Sequence, residues 1–464
     1  MRIIGKILKW LVGVIVLVVA GLSAWLYFAP PALIRVGSGY AAKIVCSNVF
    51  LAGRDANQVL ADDVQAPGHP LLRLMSVSVD QSAGTVRAGL FGVFGRGLAV
   101  AHDGAGCSNV PDGDIAAAAL GAVPVAPAAD ANAEALWPEG EKVDASQNPA
   151  ITAVLDDAAL AGPGMRAIVV VQNGRIVGER YGEGFASSTP LLGWSMTKTV
   201  TAAIIGTLVG DGKMSVDKSG LFEPWKADRR AAISLADLMA MSSGLEFNED
   251  YGDVTDVTRM LYLESDMAGF AAAKPLVAEV GKKFSYSSGT TLLLSRLWQD
   301  AVGDPARALA WPREKLFGPL GMTSAVLEAD ARGTFAGSSY LYASAHDWAR
   351  FGQFLLQDGV WNGARILPEG YVAWMREKAP AAAIGEYGRG QLWLQGPEGG
   401  TPEGEDPDVG FDLPDDTFWM QGHDGQTVAM VPSANLVVVR LGLTPSKLRY
   451  KPQAMLSALV AALR

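Results

Sequence analysis

The stretch WLVGVIVLVVAGLSAWLYFA, Trp10 to Ala29, runs for twenty positions without a charge. As a helix rising about 1.5 Å per residue it spans about 30 Å, the thickness of a bilayer's hydrocarbon core. A helix at the edge of a soluble domain would show a polar face, and this one has none. Arg2, Lys6 and Lys9 precede the run, so the N-terminus is expected to stay inside. Trp25 and Tyr27 suit the far interface. A cleaved signal peptide is the rival, since YFAPPA offers small residues, but a signal's apolar region spans only about 7–15 residues. A retained single-pass anchor in an inner (plasma) membrane is therefore the favoured reading. The remainder would face outward, into the periplasm of a bacterial cell.

The rest of the chain has the composition of a packed protein. Of 464 residues, 49% are apolar and 19% charged, which permits a sizeable core and excludes wholesale disorder. The formal net charge is −10, with no basic block beyond the extreme N-terminus, so a nucleic-acid partner is excluded. The two cysteines, Cys46 and Cys107, lie in the exported part and are expected to pair. His69, His102, His346 and His423 are scattered and form no HExxH or Cys/His cluster, so neither a metal nor another cofactor is expected.

Texture divides the chain into an anchor (1–29), an accessory region with a linker (30–147) and a main domain (148–464). The accessory region contains AGLFGVFGRGLAVAHDGAG, whose Gly92, Gly95 and Gly97 have the wrong spacing for a dinucleotide fingerprint and read as turns between strands. The Ala/Pro-rich AAAALGAVPVAPAADANAEALWPEG reads as a linker. In the main domain, AIVVVQNGRIVGERYG is a hairpin turning at Asn173-Gly174. A mainly helical section follows to about residue 357. TFWMQGHDGQTVAMVPSANLVVVRLGL then returns to strands, and QAMLSALVAALR closes as a helix. Strands at both ends with helices inserted between them predict an α/β layer plus a mainly helical subdomain. GPEGGTPEGEDPDVGFDLPDD reads as an acidic loop before the last strands.

The chemistry is concentrated in GWSMTKTVTAAIIGTL. Ser195 and Lys198 stand three apart and share one helix face. A serine in a first helical turn has its own N–H among the unpaired donors there. A lysine in a dry pocket loses proton affinity and can act as a base. Spacing alone is weak, because Ser215 and Lys218 repeat it in the polar turn GDGKMSVDKSG. Context separates the two: only the first pair opens an apolar run. Further along, Tyr286-Ser287-Ser288 precedes another apolar helix, and a phenol near an ammonium is expected to have a lowered pKa. His423-Asp424-Gly425 stands beside a β run, where glycine permits close backbone approach. These two also have look-alikes, Tyr342-Ala343-Ser344 and His102-Asp103-Gly104. The significant feature is three matches in order, each with suitable flanks.

Taken together, SMTK, YSS and HDG resemble the three motifs of the penicillin-recognising serine hydrolases, in the class C β-lactamase-like branch. MSSGLEFNEDYGD, YSSGTTLLLSR, SSYLYASAHDWARFGQFLL and GHDGQ resemble its 6-aminohexanoate-dimer hydrolase and esterase members. The likeness covers about residues 148–464. It implies a β-lactamase/transpeptidase-like fold, with an antiparallel sheet flanked by helices. It also implies a Ser195 nucleophile, with Lys198 and Tyr286 sharing proton transfer and an acyl-enzyme later hydrolysed by water. The oxyanion hole would be the N–H groups of Ser195 and Gln426. His423, Gly425, Ser288, Tyr251 and Asp253 would contact a small-molecule ester or amide. His423 stands where many relatives have lysine, and Ser288 where many have asparagine. Both departures point away from β-lactams, because a histidine is only partly charged near neutrality. Cell-wall peptide or β-lactam hydrolysis, and a non-catalytic envelope binding module, are the alternatives. A Ser-His-Asp triad through His423 competes but lacks a G-x-S-x-G elbow. His346 is expected on a helix surface or cap.

Overall fold

The computed structural model describes residues 2–121, 123, 135–145 and 148–463. Residues 124–134 of the expected linker, and the expected boundary at 147, lie outside the described residues.

Helix α1 (Arg2–Phe28) carries the candidate span Lys6–Phe28, with no residue of its apolar window buried. Its last turn meets the folded body, where Tyr27 accepts a hydrogen bond from Arg96 at 3.0 Å. Three residues later α2 (Ala32–Ala52) begins, and it is the opposite kind of helix. Ala41, Ala42, Val45 and Cys46 are fully buried. It lies against an antiparallel sheet of β1 (Met75–Asp80), β2 (Thr85–Leu90), β3 (Phe94–His102) and β4 (Gly106–Asn109), in that order. Gly97 on β3 explains how close the two come: an added Cβ there would lie 2.3 Å from the Ser38 carbonyl oxygen. A disulfide joins Cys46 of α2 to Cys107 of β4.

The other side of α2 packs on the main body. Asn109 donates to the Leu261 carbonyl at 3.0 Å. Lys43 forms a wholly buried ion pair with Glu328, which also accepts from Ser47 and from the Cys107 N–H. Asp63 receives both Arg54 and Arg166. One continuous core runs from α2 through the main body.

That body is built on a five-stranded antiparallel sheet. Its strands are β5 (Met165–Gln172), β6 (Arg175–Tyr181), β7 (Phe418–Gly422), β8 (Gln426–Val431) and β9 (Leu436–Gly442), ordered β7-β8-β9-β5-β6. Val169 and Val171 face one core while Ile168 and Val170 face another. Burial on both faces is why these strands read as unbroken apolar runs rather than alternating ones. The closing helix (Gln453–Leu463) and Pro149–Asp156 cover one face, and Ala345–Leu356 covers the other. The architecture is thus α/β, with antiparallel sheets and helices, as expected. Two further helices, Thr197–Gly210 and Ser288–Val302, lie side by side and bring their N-terminal ends together.

Candidate active site

Ser195 sits in a short helical turn, Trp194–Met196, just ahead of the helix Thr197–Gly210. Trp194 is held at a φ of 48°, a left-handed value unusual for a bulky residue. Gly193 before it admits no side chain, since a Cβ would lie 2.2 Å from the Trp348 ring. The turn is therefore clamped by packing, and it leaves Ser195 partly exposed.

Lys198 is 1% exposed and points at the serine. Its Nζ donates to Ser195 Oγ at 3.1 Å, to Ser288 Oγ at 3.0 Å and to the Ser338 carbonyl at 3.1 Å. Those three bonds use every proton an ammonium has. Burial lowers its pKa to about 8, while the charge of Glu249 holds it up. Glu249 accepts from the Ser288 N–H at 2.7 Å and from its hydroxyl. A chain of hydrogen bonds thus runs from Ser195 through Lys198 and Ser288 to a half-buried carboxylate.

Tyr286 completes the group. Its ring packs on Tyr387 and Trp393, and Lys198 Nζ lies 4.8 Å from the ring centroid. The expected lowering of its pKa is reversed. Burial and the charge of Glu249 raise it, and a hydrogen bond with Ser195 opposes them only in part. Tyr286 is consequently a neutral phenol, able to donate a proton. A nearby ammonium was the wrong guide because burial, which disfavours the phenolate, sets the direction and the charge of Glu249 adds to it.

His423 forms a 4.9 Å stack with Tyr251 and an edge contact with Trp194. Its Nε2 lies 3.5 Å from Asp424, and the hydrogen bonds of the described residues include none from a histidine to Ser195. The turn after it is strained, with Asp424 at φ 58° and Gly425 at φ 80°. Gly425 is needed for that turn and for packing, since a Cβ would lie 2.9 Å from Arg440. Gln426 opens β8, and its side-chain amide is tied to both the N–H and the carbonyl of Gly442. The edge strand β7 lies against the Trp194–Met196 turn, and a Cβ on its last residue, Gly422, would lie 2.2 Å from the Gly193 carbonyl. Asp253 is exposed and accepts from the Val254 N–H.

The look-alike motifs fall elsewhere. Ser215 and Lys218 are exposed, Tyr342 is buried in a short strand, and His102-Asp103-Gly104 turns β3 into β4. His346 differs from expectation. It is buried, with Glu141 and Glu179 each 2.8 Å from a ring nitrogen. Two carboxylates reaching over the helix start, one of them from strand β6, enclose what would otherwise be a surface residue.

A serine, a buried lysine and a neutral tyrosine thus meet at the edge of an antiparallel sheet, and known proteins share the fold that carries them. The Beta-lactamase family model matches residues 156–459. The chain belongs to this beta-lactamase family. It is 22% identical over 308 residues to the 6-aminohexanoate-dimer hydrolase of Paenarthrobacter ureafaciens, across 60% of this chain and 72% of that one. A Bacillus anthracis structure named after the 6-aminohexanoate-dimer hydrolases is 24% identical, with a TM-score of 0.53, covering 67% of this chain and 79% of that one. A penicillin-binding protein homologue from Caulobacter crescentus, 15% identical, has a TM-score of 0.52 over 69% and 99% of the two chains. These structures share the fold.

For a beta-lactamase family chain, hydrolysis of a small molecule is the general kind of activity, and this pocket contains one participant that motif reading missed. Glu249 lies in FNEDYGD, among Glu246, Asp250 and Asp253, and no spacing rule singles it out. Cavities lie around the Trp194–Met196 turn, and two of them reach the candidate site residues. One of about 190 Å³ is bordered by Trp194, Tyr251, Asp253 and His423. The other, of about 790 Å³, is bordered by Tyr286, Trp393 and the Gln421–Gln426 turn, and extends to the acidic loop near Gly396–Glu405. Among the described residues, no group of three His, Cys, Asp or Glu side chains is arranged to hold a metal.

Proposed function

We propose that this protein is a serine hydrolase that cleaves a small ester or linear amide through an acyl-serine intermediate. The observation carrying the reading is the buried Lys198 Nζ at 3.1 Å from Ser195 Oγ, with its pKa brought down to about 8. About a tenth of such a lysine is neutral at pH 7, enough to take the serine's proton. Ser195 attacks the carbonyl carbon, Lys198 accepts the hydroxyl proton, and Tyr286 hands a proton to the departing alcohol or amine. Water then attacks the acyl-serine, giving up a proton to the Tyr286 phenolate while the Lys198 ammonium returns its proton to Ser195 Oγ, which regenerates both groups. The N–H of Ser195 is one oxyanion donor. The second is a backbone N–H of the turn from Gly422 to Gln426, with Gln426 the position the family resemblance implies.

His423 is packed between Tyr251 and Trp194, which favours an uncharged ester or amide over a substrate recognised by its carboxylate. Tyr251, Asp253, Ser288 and Gly425 complete the proposed substrate-facing set. The apolar helix, with no residue of its span window buried, supports a retained anchor that holds the catalytic domain on the outer side of the membrane. The Cys46–Cys107 disulfide supports the same side.

A fluorophosphonate probe should label the native protein and leave Ser195→Ala unlabelled, with mass spectrometry placing the adduct on Ser195. Equal labelling of the variant refutes the assignment. Rates on p-nitrophenyl esters, linear amino-acid amides and β-lactams then rank the substrate classes.

A further inference from the structure

Two cavities lie near the Trp194–Met196 turn, the smaller bordered by Trp194 and the larger by Tyr286. Only the larger is bordered by Tyr286, the group placed to protonate a leaving group. A leaving group protonated by Tyr286 lies on that side, which leaves the cavity on the other side of His423 for the acyl part. The smaller cavity is there, walled on one side by Trp194, Tyr251 and His423. Its opposite wall comes from outside the family-matched residues 156–459: Leu33 and Val36 of α2, and Leu71 and Leu72 beyond it.

We propose that this smaller cavity is an acyl-chain subsite built jointly by the accessory region and the hydrolase body, taking an apolar chain of about six carbons from an amphiphilic ester or amide. The proposal rests on the acyl-serine reading above. Size and lining carry it: about 190 Å³ compares with the roughly 150 Å³ apolar cavity that accepts benzene. Position adds to it. Leu33 stands five residues beyond Phe28, the end of the candidate span. Five residues reach at most about 18 Å, so the subsite begins close to the end of the apolar helix, where amphiphiles would be concentrated. The accessory region thereby gains a role in selectivity as well as packing.

The test is a series of p-nitrophenyl esters from acetyl to decanoyl, measured on the full chain in detergent below its critical micelle concentration. Native kcat/KM should rise about fourfold per methylene up to about the hexanoyl ester and then level off. Leu33→Trp and Leu71→Trp should each collapse the hexanoyl-to-acetyl ratio at least tenfold, and Leu71→Ala should move the optimum to a longer chain. The ratio is independent of how much protein folds. An unchanged ratio in both Trp variants, or a flat native series, overturns the subsite. Binding supplies the second readout. Hexanoate titrated into Ser195→Ala should change the tryptophan fluorescence at lower concentration than acetate, and Leu71→Trp on that background should weaken it tenfold. If no ester turns over but hexanoate binds in this way, the hydrolysis reading fails and the apolar-chain site stands. If esters turn over with a flat series and hexanoate does not bind, hydrolysis stands and the subsite fails.

Discussion

Replacing Glu249 with glutamine isolates the electrostatic part of the site. Glutamine keeps the size and one oxygen, able to accept from the Ser288 N–H, while its amide nitrogen faces the Ser288 hydroxyl as a donor in place of the second carboxylate oxygen, and one negative charge is removed. Lys198 and Glu249 communicate through Ser288, whose Oγ lies 3.0 Å from Nζ and donates to the carboxylate. Two unit charges about 5 Å apart at an effective dielectric of about 20 interact by about 3 kcal/mol, or roughly two pH units. Residual solvent contact at Glu249 screens part of that, and burial raises the pKa of Glu249 itself, leaving about one unit. The carboxylate stabilises the ammonium, so its loss makes Lys198 easier to deprotonate. The acid limb of kcat/KM against pH, expected near pH 8 in the native enzyme, should therefore move down by about one unit in Glu249→Gln. The assay is p-nitrophenyl acetate hydrolysis from pH 5 to 10, corrected for spontaneous hydrolysis. A limb that stays in place or moves up refutes the coupling, and Lys198 would then not be the titrating base.

The remaining predictions concern the frame around the site. His346 has its pKa raised to about 9; burial opposes the charge, but the hydrogen bonds to Glu141 and Glu179 outweigh it. A raised folded-state pKa means this stabilisation is complete below the unfolded value near 6.5 and is lost as pH rises through about 9. Lys198, with its pKa lowered to about 8, contributes in the opposite sense over the same range, so the readout is the difference between proteins: from pH 6 to pH 9.5 the unfolding free energy from urea denaturation should fall by roughly 2 kcal/mol more in the native protein than in His346→Gln. Lys43→Met leaves Glu328 buried without its cation and should destabilise the fold by about 3–5 kcal/mol. The double variant Lys43→Met/Glu328→Met should recover most of the loss, again read by urea denaturation. No recovery would mean that Glu328 matters chiefly through its bonds to Ser47 and Cys107.

Much of the frame was legible because it follows from local chemistry. An uncharged run of twenty residues must avoid water, and here it forms an exposed apolar helix. AIVVV and LVVVR read as strands because a sheet covered on both faces needs apolar side chains at every position. Asn173-Gly174 marks its hairpin because both residues accept positive φ, at 51° and 75°. The Ser195–Lys198 pair stood out from its copy at Ser215–Lys218 once the apolar run behind it was counted, and burial separates the two in space.

Other features depended on which groups the fold brings together. Glu249 is one of four neighbouring carboxylates, and only the path of the loop turns it toward Ser288. That choice adds to the burial that raises the Tyr286 pKa, and no motif encodes either. His346 became a buried cation because Glu141 and Glu179, from distant parts of the chain, close over it. The ALIRVGSGYAAKIVCSNVFLA segment lay unnoticed within a region read as accessory. Its value as a helix comes from having two partners at once, a sheet on one side and the hydrolase body on the other. Sequence by itself determined the anchor-like helix, the strands and the spacing of Ser195 and Lys198, because those are set by residues within one turn or one strand of each other. The field at Lys198 and the walls of the cavities were decided by tertiary structure alone, because each depends on charges and surfaces contributed by segments tens to hundreds of residues apart.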